Sequence, residues 1–114
     1  MKEMIIIIRP EKLEKVKQIL DKAGLGGISI SSVMGCGTQR GTDAERPFEE
    51  FKASINLLPK IRVEVVVDDE KVENLIAKIS EEVATGNAGD GKIFIRSIEE
   101  VVRIRTGERG KKAL

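Results

Sequence analysis

The segment Lys60-Ile61-Arg62-Val63-Glu64-Val65-Val66-Val67 decides the fold. Ile61, Val63, Val65 and Val67 alternate with Lys60, Arg62 and Glu64, the period of a strand with one buried face. Lys60, Arg62 and Glu64 share the other face, and Lys60 stands where the strand begins, just after Leu57-Leu58-Pro59. Beyond the strand, Asp68 or Asp69 can cap a helix. Val72, Leu75, Ile76, Ile79 and Val83 then form one apolar stripe at helical spacing.

The same order is written upstream. Met4-Ile5-Ile6-Ile7-Ile8 is apolar at every position, which suits a strand covered on both faces. Pro10 ends it, since proline cannot donate to a ladder. From Glu11 to Ala23 the period is helical, with Leu13, Val16, Ile19, Leu20 and Ala23 on one side. Gly24, Gly26 and Gly27 mark a turn. Gly27 to Met34 reads as a strand with Ile28 and Ile30 on one face and Ser29 and Ser31 on the other. Near the C-terminus, Lys92 to Arg96 is a fourth strand. A turn or short helix is expected from Ile98 to Val102, and an extended piece from Val102 to Arg105. Strand, helix, strand, long loop, strand, helix, strand is the split βαβ arrangement, an α+β ferredoxin-like fold, βαββαβ. Residues 1–114 make one domain, with a polar, mobile tail expected over about 108–114. Two helices cover one face of such a sheet. The first strand is apolar on both faces and Val66 adds to the second, so another copy of the chain is expected to cover it.

From Gly35 to about Asn56 no helical or strand period is sustained. A segment of that length in a small domain is usually functional or mobile. Cys36 lies within it between two glycines, with no second cysteine to pair with, and reads as a small residue at a turn.

Between the second helix and the fourth strand lies Thr85-Gly86-Asn87-Ala88-Gly89-Asp90-Gly91-Lys92. Three glycines let the backbone turn its N–H groups inward around an anion. Lys92 closes the loop, and Arg103 and Arg105 follow. Backbone donors, one compact cation and two planar cations are the chemistry of a phosphate site. The spacing from Gly86 to Gly91-Lys92 imitates a Walker A loop, but such a loop leaves a strand, enters a helix and follows its lysine with Ser or Thr. Here Ile93 follows. A turn that merely ends a helix uses glycine in the same way, and the loop alone does not separate the two readings.

Composition removes several functions. The 114 residues contain no His and one Cys, so catalysis by His or a Cys–His pair is excluded, as are a disulfide within the chain and a Cys/His zinc site. Net charge is +1, and there are three Phe but no Trp or Tyr. That gives neither an overall field for nucleic acid nor platforms for stacking bases. No stretch reaches the roughly 20 apolar residues of a membrane span. A cytoplasmic protein with no direct membrane insertion is expected.

Five ordered blocks carry a family resemblance: Ile8-Arg9-Pro10; Gly35-x-Gly37-x-Gln39-x-Gly41; Leu58-Pro59-Lys60-Ile61-x-Val63-Glu64; Thr85-Gly86-x-x-Gly89-Asp90-Gly91-Lys92-Ile93-Phe94; and Val102-Arg103-Ile104-Arg105-Thr106-Gly107. With them the chain resembles the PII signal-transduction proteins of nitrogen regulation from Met1 to Arg109. The resemblance implies a homotrimer that binds ATP or ADP in clefts between subunits and 2-oxoglutarate beside Mg-ATP. It implies a non-enzymatic regulator whose T-loop, about 37–54, engages an ammonium transporter, glutamine synthetase or another nitrogen-metabolism protein. Gly89, Asp90, Gly91 and Lys92 would hold phosphates, with Arg103 and Arg105 reaching the same cleft. Ser29 and Glu64 would lie near the adenine. Gln39 would touch Mg²⁺ and the keto acid, while Lys60 and Arg9 would face its carboxylates. Gly35, Gly37 and Thr38 belong to the same root of the T-loop. Many members have arginine where this chain has Thr38, which puts one phosphate contact in doubt. The loop is slightly longer than in the commonest members. The tyrosine that some members use for uridylylation is absent, because the chain has no Tyr. A family branch dedicated to nitrogenase regulation is the alternative, followed by a small phosphate-handling enzyme.

Overall fold

The computed structural model describes residues 1–36 and 57–114. Among these residues there are four strands and two helices: β1 (Lys2–Ile8), α1 (Leu13–Lys22), β2 (Ile28–Gly35), β3 (Leu58–Val67), α2 (Val72–Val83) and β4 (Lys92–Ser97). The sheet order is β2-β3-β1-β4, and every neighbouring pair is antiparallel. This is the ferredoxin-like βαββαβ arrangement expected from the sequence.

The period of two in β1 and β3 sorts their side chains. Met4 lies opposite Val65 and Ile6 opposite Val63. These residues, with Ile8 and Val67, join Val16, Ile19 and Leu20 of α1 and Val72, Leu75, Ile79 and Val83 of α2 in one buried cluster. Both helices therefore cover the same face. Truncating Ile6 or Leu75 to Ala is expected to cost about 2–5 kcal/mol, because lost transfer energy and a cavity add. The opposite face carries Ile5, paired with Glu64 on one side and Phe94 on the other. Phe94 is 53% exposed, and Glu3 and Arg96 are ion-paired at 2.6 Å on the same face.

Element ends depart from expectation for local reasons. Pro10–Lys12 forms a 3-10 turn before α1, since proline suits a first helical position. A matching 3-10 turn, Asp69–Lys71, precedes α2, and Asp68 caps it by accepting from the Glu70 amide. β3 begins at Leu58, two residues earlier than expected. The β1 register stops at Ile61, so Pro59 lies where one side of β3 has no strand partner, a position in which proline is tolerated.

The stretch from Ile98 to Val101 is neither turn nor helix, and the extended piece expected over Val102–Arg105 is replaced by a small hairpin. Val102 bridges Arg109, and the Gly107 amide donates to the Arg103 carbonyl at 2.7 Å. Gly107 makes the reversal with φ of 73°, a value costly for other residues. Gly110–Ala113 follows as a 3-10 turn. Among the described residues no helix is long and apolar enough to cross a membrane.

Candidate functional site

The glycine loop leaves α2 and enters β4. That is the reverse of a Walker A loop, as the sequence order indicated. Its first half closes around an anion, but the anion is the chain's own. Asp90 accepts from the Thr85 amide at 2.7 Å, the Thr85 hydroxyl at 2.6 Å and the Gly86 amide at 3.0 Å. Thr85 Oγ1 in turn accepts from the Asn87 amide at 3.2 Å. The hydroxyl and amide of Thr85, with help from Arg9 and the Gly86 amide, hold the Asp90 carboxyl far below the usual carboxylate range. Asp90, expected from the resemblance to hold phosphate, serves here as a brace within the loop. The N–H groups of Gly89 and Gly91 are not among those it binds.

Two cations fasten this loop to the sheet. Arg9, immediately after β1, pairs with Asp90 through Nη1 and donates from Nη2 to the Ala88 carbonyl at 2.6 Å. Lys60, in β3, donates to the Gly89 carbonyl at 2.6 Å. Gly35, the last residue of β2, lies beside Lys60: a β-carbon there would stand 3.1 Å from Lys60 Cγ. Gly35 and Leu58, described residues on either side of 37–56, are cross-strand partners, and Lys60 links this end of the sheet to the glycine loop. Gly89 and Gly91 have φ of 95° and 105°, and a β-carbon on Gly89 would stand 3.0 Å from Arg9 Nη2. A side chain at position 89 would be strained by that φ and would require the Arg9 guanidinium to shift.

Lys92 opens β4 opposite Ile7. Ser29 and Glu64 are cross-strand partners on the face away from the helices, and Glu64 accepts from Arg62 Nε at 2.7 Å. Arg103 and Arg105 belong to the C-terminal hairpin. Among the described residues Arg103 bonds to Glu108 and to backbone oxygens of the tail, not to the glycine loop. Gly37, Thr38 and Gln39, and with them the segment 37–54, lie outside the described residues.

Within one chain, then, Arg9, Gly35, Lys60 and Thr85–Asp90 are brought together, while Arg103 joins a different cluster. The sequence reading missed Thr85 and the bracing role of Asp90. The available signal was a hydroxyl and a carboxylate at the two ends of a glycine-rich turn, a pair that commonly closes a turn through local bonds.

Left-handed glycines and a lysine at the loop exit are donors of the kind that suit a phosphate group, while the hairpin arginine Arg103 stands apart with Glu108 and the tail. No group of three His, Cys, Asp or Glu among the described residues could hold a metal.

Comparison with known proteins gives one answer. The family model described as nitrogen regulatory protein P-II matches residues 1–108. The chain is 49% identical, over its full length and 97% of the relative, to nitrogen regulatory protein P-II 2 of Methanothermobacter thermautotrophicus. It is 47% identical over the whole of both chains to nitrogen regulatory protein P-II of Mesorhizobium japonicum. The corresponding protein of Azospirillum brasilense is 44% identical, again over the whole of both chains.

Proposed function

The chain belongs to the nitrogen regulatory protein P-II family, and from that premise we propose that it is a non-enzymatic sensor of ATP, ADP and 2-oxoglutarate. It works as a homotrimer and acts on nitrogen-metabolism proteins, such as an ammonium transporter or glutamine synthetase, through the T-loop at about 37–54. The observation that carries the reading is the fastening of the glycine loop to Lys60 and, through it, to the root of that segment. A ligand that loads the loop changes the surroundings of both chain ends from which the T-loop projects. It can then prefer one T-loop arrangement over another, which is what shifting a population requires.

In this reading the Gly89–Lys92 half of the loop, with Arg103 and Arg105, binds the phosphates. Ser29 and Glu64 lie near the adenine. Lys60 and Arg9 attract the carboxylates of 2-oxoglutarate. The amide oxygen of Gln39 is a hard donor suited to Mg²⁺ on the phosphates. Trimer formation covers the open sheet face that exposes Phe94.

The test is calorimetric titration of 2-oxoglutarate with Mg-ATP, with ADP and with no nucleotide. Binding is expected only with Mg-ATP, and Gln39→Ala is expected to remove this synergy while ATP still binds. Equal affinity under all three conditions refutes the mechanism.

A further inference from the structure

Arg103, a phosphate ligand in the nucleotide reading, is already occupied by residues Lys112 and Leu114 of its own chain. Its Nη1 pairs with Glu108 at 3.0 Å, while Nη2 donates to the backbone oxygens of Lys112 and Leu114, each at 3.3 Å. The tail is set in place from two sides. The Gly110 amide donates to the Val101 carbonyl at 3.0 Å and to Glu100 Oε1 at 3.1 Å, and Gly110–Ala113 then coils into a 3-10 turn. One residue further on, Lys111 pairs with Asp68 at 3.2 Å. Asp68 is the residue that caps the start of the second helical segment, so the anchor stands on the folded body. The two partners shift each other accordingly. The Lys111 bond holds Asp68 below the ordinary carboxylate range, and Asp68 raises Lys111 above the ordinary lysine value.

We propose that Gly110–Leu114 is an intramolecular strap that occupies the Arg103 guanidinium, and that Lys111 and Asp68 are the positioning residues that hold the strap closed. A phosphate ligand and the tail's backbone oxygens are alternative acceptors for the same Nη2 protons. A phosphate group, with its charge spread over several oxygens, is a stronger acceptor than a carbonyl oxygen such as that of Lys112. The strap is therefore displaced by ligand rather than blocking it, and it lowers the apparent affinity by the fraction of chains in which Arg103 is held. This inference rests on the assignment of Arg103 to the nucleotide.

The experiment titrates ATP into the full-length chain and into Lys111→Ala, Asp68→Asn, Arg103→Ala and the Lys111→Ala/Arg103→Ala pair. Asn caps a helix as well as Asp, so Asp68→Asn removes the charge while keeping the cap. An exposed ion pair is worth up to about 1 kcal/mol, so Lys111→Ala and Asp68→Asn should each tighten ATP binding by about two- to fivefold. Lys111→Ala should have no further effect once Arg103 is Ala, a dependence that a merely structural role would not produce. Unchanged or weaker ATP binding in both single variants, with Arg103→Ala still weakening it, overturns the strap and leaves the nucleotide reading intact. ATP affinity unaffected by Arg103→Ala overturns the assignment on which the strap rests.

Discussion

Gly91 is packed against the backbone of Ile7, so that a β-carbon at position 91 would overlap the Ile7 carbonyl oxygen. The glycine loop thus returns to the sheet through a gap that admits no side chain, and φ of 105° at Gly91 adds a second obstacle. Gly91→Ala is expected to destabilise the fold by roughly 1–3 kcal/mol and to displace the loop from β1. Gly27→Ala, where nothing stands within 4 Å and φ is not in the left-handed region, is the control and should be nearly neutral. Urea denaturation of the two variants checks this, with equal midpoints counting against it.

Asp90 links the loop to pH. Its folded-state carboxyl is depressed, chiefly by the hydroxyl and amide of Thr85, so it binds a proton less readily than in the unfolded chain. The stability it contributes is present above the unfolded value of about 3.9 and is lost as pH falls below it. Asp68 and Asp69 are depressed as well and act in the same direction. The informative quantity is therefore a difference. Asp90→Asn should show a shallower loss of stability between pH 5 and 2 than the unaltered chain, measured by denaturant midpoints across that range. Parallel curves would show that the brace carries no such linkage.

Lys60 separates two roles that share one side chain. In the proposed mechanism its ammonium pairs with a ligand carboxylate, and in the structure it donates to the Gly89 carbonyl. Lys60→Met keeps much of the aliphatic stem and removes both. Loss of a bond to a charged group is worth about 1.5–3 kcal/mol, so 2-oxoglutarate should bind about ten- to hundredfold more weakly in the presence of Mg-ATP. ATP alone should lose less. Equal losses for both ligands would mean that Lys60 acts only by holding the loop.

The phosphate assignment predicts that Lys92→Ala and Arg103→Ala each weaken ATP by about ten- to hundredfold, again the scale of a bond to a charged group. Calorimetric titrations superimposable on those of the unaltered chain would remove both residues from the site.

Phe94 lies opposite Ile5 on the face the helices leave open and is 53% exposed. If three copies cover that face, a charge placed there is buried without a partner, a penalty of several kcal/mol. Phe94→Asp should sediment as a smaller species than the trimer expected for the unaltered chain at micromolar concentration. A monomeric unaltered chain would contradict the assembly itself.

The sequence by itself determined the elements and their order. Alternation in Lys60–Val67, the doubly apolar Met4–Ile8 and the helical stripe of Val72, Leu75, Ile79 and Val83 each depend on local periodicity, and each reappears in the cluster that both helices bury. It also marked the glycine loop as a place where the backbone can turn its N–H groups inward, because glycine spacing reports backbone freedom directly, without separating an anion site from a turn that ends a helix. Only the tertiary structure decided which anion fills the first half of that loop. Asp90 finds Thr85 five residues away, but Arg9 reaches it across 81 positions and Lys60 reaches Gly89 across 29. Those meetings follow from β1 lying between β3 and β4, which brings Arg9 and the start of β4 to one end of the sheet. The turn at Ile104–Thr106 was misjudged for a related reason: an extended Val102–Arg105 and a hairpin share one local pattern, and the bridge to Arg109 selects between them. Periodicity records which side of a segment is buried. It carries no record of which distant side chain arrives there, because strand pairing, not chain neighbourhood, sets that contact.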